Sequence, residues 1–346
     1  MTSLEYSYSL RLPVLGLSIL LLCPVWHGCE SLHCKDGDFT AAETVPVKMT
    51  VHSKDSMEGL SLDILIFGND PLQFLECWQR VYVTDEGKAT IASMNGEKTM
   101  MACSGMQGKG IEDWMWVSSL ISLSDAWTDL EEERTDMPVM SGSCSFRAGT
   151  VANESPHLSL RRVSSEIHLR SLRCDFKDRP YAGETLSDVH VYLTNVNASC
   201  RIWNDDGSSA RIINQGQLVM QDVARFVDSS IIWQRIEGEI GSETVYTDIR
   251  LRCYPNSAQE EGPGSPFTRL VIQGVLDGKV WYWPIDINRG DETTQEGIGS
   301  NCIYTYDIVL TRKGSADPDT AIKAGTASIA MEVEKWEEKE YYTVAF

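Results

Sequence analysis

The sequence predicts an all-β chain of two antiparallel β-sandwich domains, with one short helix in the N-terminal one. Three observations carry this. Apolar and polar residues alternate at period two in segment after segment, as in Val45, Val47, Met49 and Val51 against Pro46, Lys48, Thr50 and His52. Turn signals punctuate the segments: Asp206-Gly207, Gly262-Pro263-Gly264, Asp277-Gly278 and Arg289-Gly290. The strands do not alternate with helices, as the crossovers of a parallel sheet would require. A chain of 346 residues is long enough for two such domains. The polar stretch Asn204–Ser209 (NDDGSS) is the expected boundary, giving domains 29–205 and 206–346 behind a segment 1–28.

That first segment reads as an export signal. Leu12–Val25 is an uncharged, Leu-rich run after Arg11, shorter than the roughly 20 residues needed to span a bilayer. It ends at His27-Gly28-Cys29, and a cysteine after a small residue and an apolar stretch resembles a bacterial lipoprotein cleavage site. Cys29 is therefore the candidate lipidated residue, with Cys23 an alternative that lacks the preceding small residue. A lipid on Cys29 holds a protein on a membrane without spanning it.

The elements follow in order. Val45–Val51 is the first expected strand, and residues 60–67 (LSLDILIF), apolar on both phases, a buried one. In residues 111–124 Trp114, Val117, Leu120 and Ile121 fall at helical spacing, which predicts the helix; the acidic run Asp129–Glu133 after it reads as a solvated loop. Strands resume with Val189, Val191 and Leu193, then with Val245, Thr247, Ile249, Leu251 and Cys253. Arg269–Leu276 and Val280–Ile287 flank Asp277-Gly278, a hairpin signal. Cys302–Thr311 and the stretch around Ile329, Met331 and Val333 close the series.

Charge and motifs narrow the function. Acids outnumber bases 50 to 30, a net charge of −20, which disfavours nucleic acid as a partner because phosphate binding needs basic patches. Ten Trp, twelve Tyr and eight Phe give more aromatic content than a solvated acidic tail carries. The cysteines form no CxxC pair, so neither zinc nor a redox motif is indicated; several sit in apolar runs and read as small core residues, with any disulfide pairing open. G-x-S-x-G, H-E-x-x-H, Walker A and G-x-G-x-x-G are all missing from the sequence. Asp36-Gly37-Asp38 and Asp317-Pro318-Asp319 lack calcium-loop spacing. The expectation is a protein without catalytic residues, metal or cofactor. Trp281, Tyr282 and Trp283 are the best candidates for an aromatic platform that stacks on sugars; strand alternation points at least one of them outward, and core packing is the favoured reading for the others.

Several stretches, taken together, resemble the fimbrillins of the Bacteroidales, the FimA-like subunits of type V pili. Pro138-Val139-Met140-Ser141-Gly142 is similar to the family's PMSG stretch and follows an acidic loop as it does there. Residues 158–172 (LSLRRVSSEIHLRSL) and 186–197 (LSDVHVYLTNVN) resemble two successive strands, and 251–257 (LRCYPNS) resembles a Y-x-Y-E-N element. Residues 266–287, 301–320 and 325–338 are similar to the family's closing strands. The order and spacing of the pieces carry the resemblance across nearly the whole exported chain.

The resemblance implies a lipoprotein precursor of two transthyretin-like sandwiches, held in the outer membrane by its lipid (a palmitate-type anchor) and carried to the cell surface. It also implies a proteolytic cut that removes the first strand and opens a groove, which a strand of the next subunit fills. Its partners would be other fimbrial subunits, with host or bacterial surface ligands beyond them. On this chain the exchanged strand is Val45, Val47, Met49 and Val51, and Ala327–Val333 with Tyr341–Phe346 are the candidates for the donor or its support. The family's cleavage arginine is missing from the loop His52–Gly59, where Lys54 is the single basic residue and hence the candidate cleavage site. A chain left uncut would suit the anchor or tip of a fimbria.

Overall fold

The computed structural model describes residues 32–34, 44–53, 55, 59–106, 114–149, 155–203, 209, 211–262, 264–289, 297–322, 325–335 and 344–345. The signal segment, Cys29, Asp36-Gly37-Asp38, Lys54 and residues 204–208 of the expected boundary lie outside the described residues. The strands are β1 (Leu32–Cys34), β2 (Thr44–His52), β3 (Ser61–Gly68), β4 (Leu75–Tyr82), β5 (Lys88–Met94), β6 (Gly96–Ser104), β7 (Trp127–Asp129), β8 (Met140–Ala148), β9 (His157–Ser159), β10 (Arg161–Arg162) and β11 (Ser165–Cys174). They continue as β12 (Ser187–Thr194), β13 (Val196–Asn197), β14 (Ser199–Arg201), β15 (Ile212–Ile213), β16 (Trp233–Ile236), β17 (Val245–Cys253), β18 (Arg269–Leu276), β19 (Lys279–Asp286), β20 (Cys302–Leu310), β21 (Ala327–Lys335) and β22 (Val344–Ala345). Two single-turn α-helices, α1 (Leu120–Leu123) and α2 (Met220–Val223), and two 3-10 turns, Leu130–Glu132 and Ser229–Ile231, complete the set among the described residues. The protein is all-β, as the alternation predicts.

The N-terminal sandwich pairs a six-stranded sheet, β1-β4-β3-β6-β8-β10, with a three-stranded one, β5-β2-β9. Their facing side chains share one buried cluster, including Val47, Met49 and Val51 of β2, Leu62, Ile64 and Ile66 of β3, Ile91 of β5, Phe146 of β8 and Leu158 of β9. β3 is apolar on both phases because both its faces are covered: Leu65 and Phe67 belong to a second cluster with Trp114, Val117 and Leu123. The C-terminal sandwich pairs β17-β11-β20-β21-β22 with β16-β12-β18-β19. The Asp277-Gly278 hairpin forms between β18 and β19, Leu276 facing Lys279. Both turn residues have positive φ, 53° and 69°, as a two-residue type I′ turn requires.

The sheets are mainly antiparallel, as expected, with two parallel pairings inside them, β2 to β9 and β11 to β20. The large sheets change over at Val163–Ser164, between β10 and β11, upstream of the expected division between 205 and 206, while β7 pairs with β14 across that changeover. β11 and β12 precede residue 205 yet pair with β17, β20, β16 and β18. A polar stretch marks a surface turn; which sheet a strand joins is set by distant register partners. The helix expected over 111–124 shrinks to the single turn of α1, within the part of that span the structure describes. Ser119 and Ser122 close a capping box, Ser122 Oγ also accepts from Ser118 N, and Ser124 Oγ donates to Ile121 O, local side-chain bonds that compete with helix extension. Trp114 and Val117 are buried, and Trp114 Nε1 donates to Asp63 Oδ2 at 3.2 Å. Finally, the acidic run is not a solvated loop. Leu130 and Glu133 are fully buried; Glu133 accepts from Ser164 Oγ at 3.0 Å and Tyr254 Oη at 3.3 Å, with the Arg252 guanidinium 3.8 Å away.

Candidate strand-exchange site

β2 carries the alternation on which the exchange expectation rests. Val47, Met49 and Val51 are at most 2% exposed, and Val45 is half-buried against the same cluster. Pro46, Lys48 and His52 face outward. β2 is not a bare edge strand. It pairs antiparallel with β5 from Thr44 to Thr50 and parallel with β9 from Thr50 to His52. The two ladders are unequal: seven register pairs on one side, three on the other. The imidazoles of His52 and His157 stack at the β9 end, 5.8 Å between centroids.

Two glycines let the chain close around this end. Gly87 has φ +74°, and its carbonyl accepts from Val51 N at 2.7 Å; a Cβ there would sit 2.6 Å from Val51 O. Gly142, the last residue of the PMSG-like stretch, lies where a Cβ would be 2.4 Å from Ser159 O, so only glycine lets β8 approach β9 this closely. The outer side of β5 is held by a side chain. Fully buried Gln79 of β4 donates to Ala92 O at 2.8 Å and accepts from Ala92 N at 2.9 Å, occupying the backbone groups a further strand would use.

The loop after β2 is tied to the junction of the sandwiches. Asp55 pairs bidentately with Arg162, Nε to Oδ2 at 2.9 Å, and both side chains are largely buried. The Arg162 N–H donates to Asn301 Oδ1 at 3.0 Å, linking this loop to the turn before β20. Beside the pair lies a cleft of about 450 Å³ lined by Arg161, Arg162, Arg201, Trp203 and serines of β8 and β9. Lys54, the candidate cleavage residue, adjoins this anchored Asp55 but lies outside the described residues.

At the other end of the chain, β21 is an interior strand. It pairs with β20 along its whole length and with β22 at Ala330 and Met331. Ile329 and Met331 are buried. The two segments named as donor or support thus meet each other at the edge of the C-terminal sheet.

The remaining candidates resolve as structure. Trp283 is fully buried and its Nε1 donates to Arg312 O at 3.0 Å, while Trp281 packs on the core with the Lys313 ammonium 5.6 Å over its ring. Trp281 and Trp283 share one inward face of β19 and pack with the core, the favoured reading for this cluster. In the Asp317-Pro318-Asp319 turn, Asp319 accepts from Arg269 Nη1 at 2.6 Å and Asn195 Nδ2 at 2.9 Å. Arg269, 3% exposed, also holds Asp286 and Glu261 at 2.7 and 2.6 Å. Among the described residues, none are grouped as a metal would need. Cys103, Cys174 and Cys253 are buried thiols whose pKa burial pushes up, and that of half-buried Cys144 rises to about 11 for the same reason. These are packing residues. Sequence reasoning missed the Asp55–Arg162 pair and the Gln79 bridge, because both depend on partners many residues away.

No family model matches the chain, and no curated protein matches it in sequence. Solved structures do match it in fold. A "putative cell adhesion protein" of Bacteroides eggerthii superposes with a TM-score of 0.64 at 14% identity, over 85% of this chain and 96% of that one. Another, of Parabacteroides distasonis, gives 0.61 at 14% identity over 87% and 99%. A fimbrilin of Porphyromonas gingivalis gives 0.58 at 14% identity over 83% and 96%. The chain has the fold of these cell adhesion and fimbrilin structures along nearly their full length.

Proposed function

We propose that this chain is a structural, non-enzymatic subunit of a cell-surface fimbria, exported as a lipoprotein through Cys29 and assembled by strand exchange. One observation carries the assembly reading. β2 fills the space between two sheets with three inward side chains, yet one of its two ladders is only three residues long. At roughly 1.5–3 kcal/mol per fully buried apolar side chain, loss of Val47, Met49 and Val51 exposes on the order of 5–9 kcal/mol of groove. The groove keeps the β5 edge on one side and β9 on the other, so an alternating strand of a neighbouring subunit finds both pockets and backbone partners. The fold shared with cell adhesion and fimbrilin structures supports the same reading. Other subunits of the same fimbria are the partners, and an outer-membrane lipid anchor is the attachment.

A cut is needed for exchange, and Lys54 in the His52–Gly59 loop is the proposed place. The test uses the chain lacking residues 1–28, in reducing buffer, treated with trypsin. The expected result is loss of the segment up to Lys54 and the appearance of oligomers that survive SDS without boiling. A trimmed chain that stays monomeric overturns the exchange reading. A second reading, an uncut anchor or tip subunit, is favoured by the Asp55–Arg162 pair that clamps the same loop. It predicts that the intact lipidated chain is recovered from surface fimbriae.

A further inference from the structure

A chain with a net charge of −20 carries one concavity of the opposite sign. The cleft beside the Asp55–Arg162 pair, about 450 Å³, presents Arg161, Arg162 and Arg201, the indole of Trp203 and the hydroxyls of Ser143 and Ser159. Among the described residues, no carboxylate lines it. We propose that this cleft is a binding site for an acidic sugar, one that carries a carboxylate beside its hydroxyls, such as a hexuronic or sialic acid unit.

The walls are set by the fold before any ligand arrives. β10 pairs with β8, Arg161 facing Ser141 and Arg162 facing Met140, so both arginines ride on the edge of the six-stranded sheet. Gly142 keeps β9 close to β8, since a Cβ there would meet Ser159 O. A second wall comes from β14 and the residues after it. Ser141 Oγ donates to Ile202 O at 2.8 Å, and Trp203 packs edge-on against buried Trp114, with ring centroids 5.7 Å apart. The Arg201 guanidinium lies over the Trp127 ring, 5.1 Å from its centroid. A cleft held this way by a sheet edge, a cross-chain hydrogen bond and packed indoles is pre-formed, so little ordering opposes binding.

Charge selects an anion. Asp55 neutralises Arg162 through its bidentate pair, which leaves Arg161 and Arg201 to set the sign of the cleft among the described residues. Cations gathered in one concavity repel, and an entering carboxylate relieves that repulsion. It does so by sharing or replacing contacts the guanidiniums already make, so no idle side chain is required. A planar carboxylate meets a guanidinium fork through two parallel hydrogen bonds.

The rest of the lining selects what the anion is attached to. Serine hydroxyls both donate and accept, which matches the hydroxyls of a sugar. The indole adds an apolar wall for the face of a pyranose ring. The volume of about 450 Å³ lies inside the range of roughly 300–1,000 Å³ for small-molecule sites. A bare anion would leave the serines and the indole unused. The site goes beyond strand exchange and does not depend on it, because the cleft is separate from the groove that β2 fills.

The test is titration calorimetry on the chain lacking residues 1–28. The ligands are methyl glucuronide and N-acetylneuraminic acid; the controls are methyl glucoside, the methyl ester of N-acetylneuraminic acid, and acetate. At least one of the acidic sugars should bind about tenfold or more tightly than its uncharged counterpart and than acetate, the scale of one charge-assisted contact. Arg161→Gln and Arg201→Gln should each weaken that binding about tenfold. Ser143→Asp, which puts a carboxylate into the cleft, should abolish it, whereas Arg147→Gln, farther along β8 and outside the cleft, should leave it unchanged. Arg161 is exposed on a sheet edge, so its variant decides the matter if Arg201→Gln lowers the denaturation midpoint. Absence of binding by both sugars, or binding no tighter than the controls, overturns the proposal. Full affinity in Arg161→Gln or in Ser143→Asp overturns it too, by placing the sugar elsewhere. A triglutamate peptide that binds more tightly than either sugar overturns it in favour of an acidic peptide. The trypsin assay reads strand exchange separately, so either result stands whatever the other shows.

Discussion

β2 and β11 are the two strands on which their sandwiches turn, and they are held very differently. β11 lies between β17 and β20 with register partners on both sides from Glu166 to Leu172, and nearly all its side chains are buried. Arg170, at its bulge, reaches Asp307 on β20 and Glu332 on β21. β2 has one full ladder, one short ladder, and a strictly alternating face. A strand paired along both edges and packed on both faces cannot leave without dissolving its domain. One packed on a single face beside a short ladder can be replaced by another strand of the same alternation. On the proposed strand exchange, the C-terminal sandwich is the part that persists and the N-terminal one the part that is edited.

The largest effect that tests this difference comes from the C-terminal core. Replacing Trp283 by Ala removes a fully buried indole and its bond to Arg312 O, at an expected cost of about 3–5 kcal/mol by denaturant unfolding. If the sandwiches are separable, far fewer β2 and β5 amides than β11 and β20 amides should lose hydrogen-exchange protection. Equal loss in both would make the chain one cooperative unit and break the contrast.

Met49→Ala is the counterpart in the N-terminal sandwich. Deleting a buried thioether chain at 2% exposure costs roughly 2–4 kcal/mol, inside the range for large-to-small core changes. Here exchange should rise on β2, β5 and β9, and the loop after β2 should become more sensitive to trypsin, while β11 and β20 stay protected. A variant whose β11 amides open as readily as its β2 amides would show that β2 is no more removable than the rest.

How much of this was legible in the sequence follows from the range of each interaction. Alternation is local, so the strand at Val45–Val51, the doubly buried run at 60–67 and the Asp277-Gly278 hairpin could all be read directly. The inward face of β2 could be named residue by residue. Trp114, Glu133 and Trp283 could not be placed, because each is held by a partner far along the chain: Asp63, Tyr254 with Ser164, and Arg312. The change of sheet at Val163 was hidden for the same reason. β11 and β20 pair in parallel across more than a hundred residues, and nothing in either segment announces a parallel partner. The PMSG-like stretch is a pattern in the sequence, but its glycine has a reason only once Ser159 O is seen against it.

The smallest effect concerns pH and sits on β11 itself. His168 is 9% exposed, between Arg250 on β17 and Thr305 on β20. Burial, and then the Arg250 cation, hold its pKa below the usual imidazole range against the opposing pull of Asp248 and Glu166. Asp248 Oδ1 is 2.9 Å from Nε2, and Asp307 on β20 is the other acid near it. The folded chain therefore resists protonation at His168, whereas the unfolded chain takes up the proton near the ordinary value of about 6.5. As pH falls below that value the unfolded state binds more protons, so this contribution to stability is complete above it and is lost on the way down to the folded pKa. His168→Gln keeps a polar side chain and removes the titration. Between about pH 7.5 and about pH 5, the unaltered chain should lose more of its denaturation midpoint than His168→Gln does. Equal losses in the two would mean that protonation reaches this strand without cost, and that β11 is less firmly enclosed than its two ladders imply.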